Sequence, residues 1–82
     1  MTRDEIRQVV IGVLRDVAPE IDPATLDPRA PLRDTLDLDS VDFMNVVVGL
    51  HAALAVDVPE ADYAQLDTLD ACVEYLAARR GE

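Results

Sequence analysis

Ser40 is the only serine in the chain, and it stands in Leu38-Asp39-Ser40-Val41-Asp42 with a carboxylate on either side. Three constellations near it could do chemistry. The first is a Ser/His pair with His51, the only histidine. Eleven residues along one helix separate the two by about 16 Å. Groups that far apart share no hydrogen bond, no other base is evident, and no G-x-S-x-G turn surrounds the serine, so hydrolysis by a triad is excluded. The second is a calcium loop built on Asp37, Asp39 and Asp42. Counting from Asp37, position 5 is Val41, position 6 is Asp42 and position 12 is Val48, where an EF-hand requires an acid, a glycine and a glutamate. No metal site is expected. The third is Cys72, which lies on the apolar stripe of a late helix and reads as a packed core thiol. His51 reads as a partly exposed helix residue, and Tyr63 and Tyr75 as packing residues whose hydroxyls reach water. What remains is a lone hydroxyl at a helix start, a poor nucleophile but a well-presented attachment point.

The elements that must hold Ser40 are legible from caps and spacing. Thr2 and Glu5 have the T-x-x-E spacing of a capping box. Ile6, Val9, Val10, Val13, Leu14 and Val17 follow at helical spacing, and Pro19 stops the helix, which spans about residues 3–17. From Ala18 to Leu38 no period is sustained and Pro23, Pro28 and Pro31 interrupt. Ile21, Leu26, Leu32, Leu36 and Leu38 recur there, so the segment reads as a loop pinned to the core by its leucines, with one short turn. A second helix begins at Asp39 or Ser40. Asp39 is its N-cap, and Asp42 lies in the first turn, where the helix dipole favours a carboxylate. Phe43, Val46, Val47, Leu50 and Leu54 form its inner stripe, while Met44 and Val48 leave apolar surface facing outward. Ala52-Ala53-Leu54-Ala55 continues this helix well, and Val56-Asp57-Val58-Pro59 closes it. Glu60 to Leu66 makes a short third helix opened by Pro59. Asp67 or Thr68 caps a fourth, with Leu69, Cys72, Val73 and Leu76 inward, Arg79 and Arg80 in the last turn, and Gly81 as its stop.

Eighty-two residues make a single domain, spanning residues 1–82, with a core built from Val, Leu, Ile and Ala, since only Phe43, Tyr63 and Tyr75 are aromatic. The fold class is all-α, a four-helix bundle of three main helices and one short one, with a long loop between the first two. The net charge of −10 excludes a nucleic-acid binder, because so acidic a chain repels the phosphate backbone. With His51 neutral, the positive side chains are all arginines and none lies between Arg33 and Arg79, an acidic stretch that steers basic partners. One cysteine allows no internal disulfide, and no apolar run approaches the roughly 20 residues needed to span a bilayer. A cytoplasmic monomer, unattached to membranes, is expected.

Asp39-Ser40 followed by a hydrophobe and Asp42, the Val-rich helix ending at Leu54, the Val56-Asp57-Val58-Pro59-Glu60 turn and the helix Leu69-Asp70-Ala71-Cys72-Val73-Glu74-Tyr75-Leu76 together resemble the acyl carrier proteins. The resemblance covers nearly the whole chain and is least specific from Ala18 to Leu36. It implies that Ser40 carries 4′-phosphopantetheine, transferred from coenzyme A by a separate phosphopantetheinyl transferase, and that the chain itself catalyses nothing. The arm would bear acyl groups as thioesters for fatty-acid, polyketide or related biosynthesis, with spreadable helices sheltering the acyl chain. It also implies acyl-loading ligases or transferases and acyl-processing enzymes as partners, whose basic patches read the second helix. The candidate recognition residues are Asp37, Asp39, Val41, Asp42, Met44, Asn45, Val48, Asp57, Glu60 and Asp62. The chain departs from fatty-acid carriers at Val41, at the bulky Phe43, and at Asn45, His51, Ala52 and Ala53, where relatives carry glutamates. Gly49 stands where alanine is common, at a helix-interior cost of about 1 kcal/mol. These departures suggest a specialised carrier. The alternatives are a stand-alone peptidyl, aminoacyl or D-alanyl carrier and, from another class, an unmodified acidic adaptor for one basic partner.

Overall fold

Each long helix begins at a side chain that satisfies amides of its own first turn. The computed structural model, which describes residues 1–81, places α1 at Arg3–Val17, a single turn α2 at Leu32–Thr35, α3 at Ser40–Leu54, a 3-10 helix at Glu60–Leu66 and α4 at Leu69–Arg80. Thr2 Oγ1 accepts the Glu5 amide at 3.1 Å and the Glu5 carboxylate accepts the Thr2 amide at 2.8 Å, completing the expected capping box. Thr68 caps α4 through the Ala71 amide at 3.0 Å, and Gly81 ends it at φ 80°. The bundle is all-helical among the described residues, as expected. The third helix is of the tighter 3-10 kind, and α2 is the one short turn within the long connection.

α1 packs against both α3 and α4, and the 3-10 helix packs against α4. The inner stripe of α3 is wholly buried at Phe43, Val46, Val47, Leu50 and Leu54, as are Leu69, Cys72, Val73 and Leu76 of α4. Tyr75 and Ala77 are buried as well, because α4 is covered from two sides and needs a wider apolar face than one stripe. The Tyr75 hydroxyl donates to Asp62 Oδ2 at 2.7 Å, a partner the sequence did not indicate. Arg79 reaches the same oxygen at 2.6 Å, with its guanidinium carbon 5.1 Å from the centre of the Tyr75 ring. This triad clamps the 3-10 helix to α4.

α3 ends at Leu54, as expected. Ala55 is left-handed at φ 55°, a conformation that costs a non-glycine residue about 1–2 kcal/mol. It reverses the chain so that Val56 is buried. Arg80 donates to the Leu54 carbonyl at 2.8 Å, satisfying one of the last acceptors of α3.

The long connection is more ordered than its prolines imply. Ala18, Ile21, Leu32 and Leu38 are buried, and Leu26 and Leu36 pack partly against the core. Asp22 and Asp27 each accept the amide two residues on, at 3.0 and 2.9 Å, forming Asx turns. Two backbone bonds, Leu32 to the Asp67 carbonyl at 2.7 Å and Asp70 to the Pro28 carbonyl at 3.0 Å, stitch the loop to the start of α4.

Gly49 is explained by close packing. A Cβ there would lie 2.7 Å from Val13 Cγ1, and Val13 is a stiff, buried side chain on α1. Overpacking costs about 1–3 kcal/mol, which outweighs the roughly 1 kcal/mol that alanine gains in helix propensity. Gly49→Ala is expected to lower stability by about 1 kcal/mol, and to become stabilising in a Val13→Ala background. Urea denaturation of the four proteins of that cycle checks it. Equal effects in both backgrounds would refute the close-approach explanation.

Acid should weaken the clamp. The Asp62 carboxyl is held below its ordinary range, first by the Tyr75 hydrogen bond and then by Arg79. A carboxylate whose pKa is lower folded than unfolded contributes stability above its unfolded pKa and loses it as pH falls through the folded one. Wild type should therefore melt above Asp62→Asn at neutral pH, and the difference should begin to narrow below about pH 4 and close as pH falls through the lower folded value. A gap that persists in strong acid would contradict this account.

Candidate functional site

Ser40 is the first residue of α3, and two local devices aim it outward. The first is the end of α2. Asp37 is left-handed at φ 53°, which aspartate tolerates better than most residues. The Leu38 amide then reaches back to the Arg33 carbonyl at 2.9 Å. This is a Schellman-type stop, and it buries Leu32 and Leu38 in the same cluster. The second device is the cap. Asp39 Oδ1 accepts the Asp42 amide at 2.8 Å and Asp42 Oδ2 accepts the Asp39 amide at 3.3 Å, a capping box with an acid at both ends. With Leu38 buried and Asp39 capping, Ser40 is left exposed.

The cap is thus Asp39, and Ser40 is spared that duty. Among the described residues nothing hydrogen-bonds the Ser40 hydroxyl. The Asp42 and Phe43 amides are taken by Asp39, the latter by its carbonyl at 3.0 Å, leaving the Ser40 and Val41 amides as open donors of the first turn. A phosphodiester on Oγ would lie at the positive end of a fifteen-residue helix, beside two free N–H groups. The donor set therefore fits a phosphate-linked group. It does not fit catalysis, since His51 is a helix length away and its Nδ1 lies 3.0 Å from Asp57 Oδ1. His51 is exposed, as expected. Cys72 is also out of play: it is buried, its Sγ donates to the Leu66 carbonyl at 3.5 Å, and burial pushes its thiol up to about 12. Among the described residues no cluster of three or more His, Cys, Asp or Glu could hold a metal, and no helix is long and apolar enough to cross a membrane.

The candidate recognition residues fall into separate groups. Asp37, Asp39 and Asp42 surround Ser40, and Val41, Met44 and Val48 form an exposed apolar stripe at i, i+3, i+7, with Asn45 exposed beside it. Val41 and Val48 are more than 60 % exposed at 68 and 61 %. Asp57 and Glu60 lie past the far end of α3, about 22 Å along its axis from Ser40, and Asp57 is engaged with His51. The Asp62 carboxylate is occupied by Tyr75 and Arg79. Sequence reasoning missed Arg33 and Tyr63. The Arg33 guanidinium carbon lies 5.4 Å from the centre of the Phe43 ring, and the Tyr63 ring meets Phe43 edge to face at 5.5 Å. No short-range spacing relates positions 33, 43 and 63. The one hint was an arginine ending just before the acidic stretch.

The comparisons agree with this geometry. The family model described as "Phosphopantetheine attachment site" matches residues 4–76. "Acyl carrier protein" of Rubrobacter xylanophilus is 26% identical over 76 residues, covering 93% of this chain and 93% of that one. "Acyl carrier protein 2, mitochondrial" of Arabidopsis thaliana is 24% identical over 78 residues, or 95% of this chain, and the chain spans 61% of that relative's length. The solved acyl carrier protein of Enterococcus faecalis shares the fold at a TM-score of 0.81 and 24% identity, covering 96% of this chain and 99% of that one. By the match over residues 4–76, the chain belongs to the phosphopantetheine attachment site family, that of the acyl carrier proteins.

Proposed function

We propose that this chain is an acyl carrier whose 4′-phosphopantetheine is joined to Ser40 Oγ. The observation that carries the reading is an exposed hydroxyl at the first position of α3, unbonded among the described residues, beside two open amides and a helix length from the histidine. In the attachment step a transferase takes the hydroxyl proton, Oγ bonds to the pantetheine-side phosphorus of coenzyme A, and the nucleoside bisphosphate leaves. When attached, the group supplies a flexible thiol that bears acyl cargo as a thioester. The chain's own residues do the rest. Asp39 and Asp42 lock the start of α3, the α2 stop fixes its direction, and α3 offers one face to partners. A role in fatty-acid, polyketide or related synthesis in the cytoplasm fits the family, and the neutral, apolar outer face of α3 supports a specialised one.

The test is direct. Apo protein incubated with coenzyme A and a promiscuous phosphopantetheinyl transferase should gain one prosthetic-group increment by intact-mass spectrometry. No gain with several transferases would favour the unmodified acidic adaptor instead.

Recognition of partners adds a prediction. With a net charge of −10 and acids grouped at Ser40, association with a basic docking patch is steered by long-range attraction that salt screens. Asp42→Arg should slow loading, by a factor that shrinks as salt rises. It also removes half of the capping box, so Asp37→Asn is the cleaner probe: Asn keeps the left-handed backbone and loses only the charge. Loading rates measured across ionic strength should show the same, smaller trend for Asp37→Asn. Salt-independent rates for both would refute steering.

A further inference from the structure

We infer that the cleft beside Ser40 formed by Arg33, Phe43 and Tyr63 receives the cargo on the arm, and that it selects short acyl groups bearing a keto oxygen over long saturated chains. This rests on Ser40 carrying the arm. Phe43 follows Ser40 by three residues and so shares its helix face, and helical side chains lean toward the N-terminus, which brings the ring back toward the level of Ser40. Arg33 lies over that ring at 5.4 Å and Tyr63 abuts its edge. Together with Ala64 and Asp67 they line a cavity of about 430 Å³, within the size range of small-molecule sites. An adjoining cleft of about 540 Å³ shares Arg33 and Asp67 and runs past Asp37 and Leu38, immediately before the α3 cap. Ser40 stands two residues beyond Leu38, the last residue lining that cleft before the cap, so cargo on a flexible arm can fold back to Arg33.

The chemistry of the walls sets the selectivity. Arg3, Arg7 and Arg79 are each paired with a carboxylate, whereas no described carboxylate pairs with the Arg33 guanidinium, which keeps its N–H donors for an incoming oxygen. The aromatic faces accept a short carbon skeleton. Asp67, which lines the same cleft, repels an anionic terminus, which favours a neutral keto oxygen over a carboxylate. A long saturated chain would have to break the Phe43–Tyr63 contact and lift the 3-10 helix, which Asp62 clamps to α4 through Tyr75 and Arg79. The sheltering of cargo between spread helices, expected from resemblance, is thereby disfavoured in this chain.

The experiment compares two cargoes that differ by one oxygen. A promiscuous transferase moves the whole acylated arm from acetoacetyl-, butyryl- or octanoyl-coenzyme A onto the protein, and intact mass confirms each species. Nuclear magnetic resonance then reads the Arg33 Nε–H and the Phe43 and Tyr63 rings. The acetoacetyl species should shift all three relative to the unacylated holo protein, the butyryl species should leave the Arg33 signal in place, and Arg33→Gln should gain the same mass increment on loading yet lose the ring shifts. Identical spectra for acetoacetyl and butyryl forms would overturn the inference. So would an octanoyl form that shifts the methyls of Val46, Leu50 and Val73 more than the two rings. Failure to load at all would instead overturn the Ser40 reading, and the mass spectrum tells the two failures apart.

Discussion

Ser40→Ala will fold like the wild type and take up no prosthetic group. Both halves of that expectation follow from the same geometry. Asp39, and not Ser40, accepts the first-turn amide, so removing the hydroxyl costs no cap. The side chain is exposed and makes no hydrogen bond among the described residues, so the change in stability should lie within about 0.5 kcal/mol. Loading, in contrast, needs the oxygen itself as the atom that bonds to phosphorus, and the chain holds no second serine to substitute. Intact mass after incubation with coenzyme A and transferase, together with a thermal melt, measures both halves. Residual loading of Ser40→Ala would place the attachment elsewhere. A large drop in melting temperature would show that Ser40 has a structural role that its geometry does not reveal.

Leu50→Ala should produce the largest loss of stability among single substitutions on α3. Leu50 is 0 % exposed and sits on the buried face of a helix that packs on α1. Truncating a leucine in such a place removes burial and leaves a cavity, together worth about 2–5 kcal/mol. A domain of this length holds only about 4–12 kcal/mol in total, so roughly a third of it is at stake. The melting temperature should fall by roughly 10–30 °C. Val48→Ala, two residues away but 61 % exposed, should change it little. Denaturant curves on the three proteins decide the matter. Comparable losses at Leu50 and Val48 would mean that the buried and exposed faces of α3 are misassigned. The contrast also bears on function, because the outer residues Val41, Met44 and Val48 are then free to serve partners at little cost to the fold.

Much of this molecule is local, and what is local was readable. The bounds of α1, the cap at Asp39, the place of Ser40 and the inner stripe of α3 all depend on groups within four residues of one another, where helix geometry alone fixes who meets whom. For the same reason the sequence excluded a Ser/His pair without any coordinates. The end of α3 at Leu54 was readable too, but the left-handed turn at Ala55 that buries Val56 was not. The remaining features join distant parts of the chain. Gly49 meets Val13 only because α1 and α3 pack closely, Asp62 meets Tyr75 and Arg79 only because the 3-10 helix folds onto α4, and Arg33, Phe43 and Tyr63 come from three different elements. The sequence by itself determined that a lone hydroxyl is presented at a helix start with no histidine in reach. The tertiary structure decided what surrounds that hydroxyl, because contacts across such separations follow from how apolar faces pack and carry no signature in local spacing.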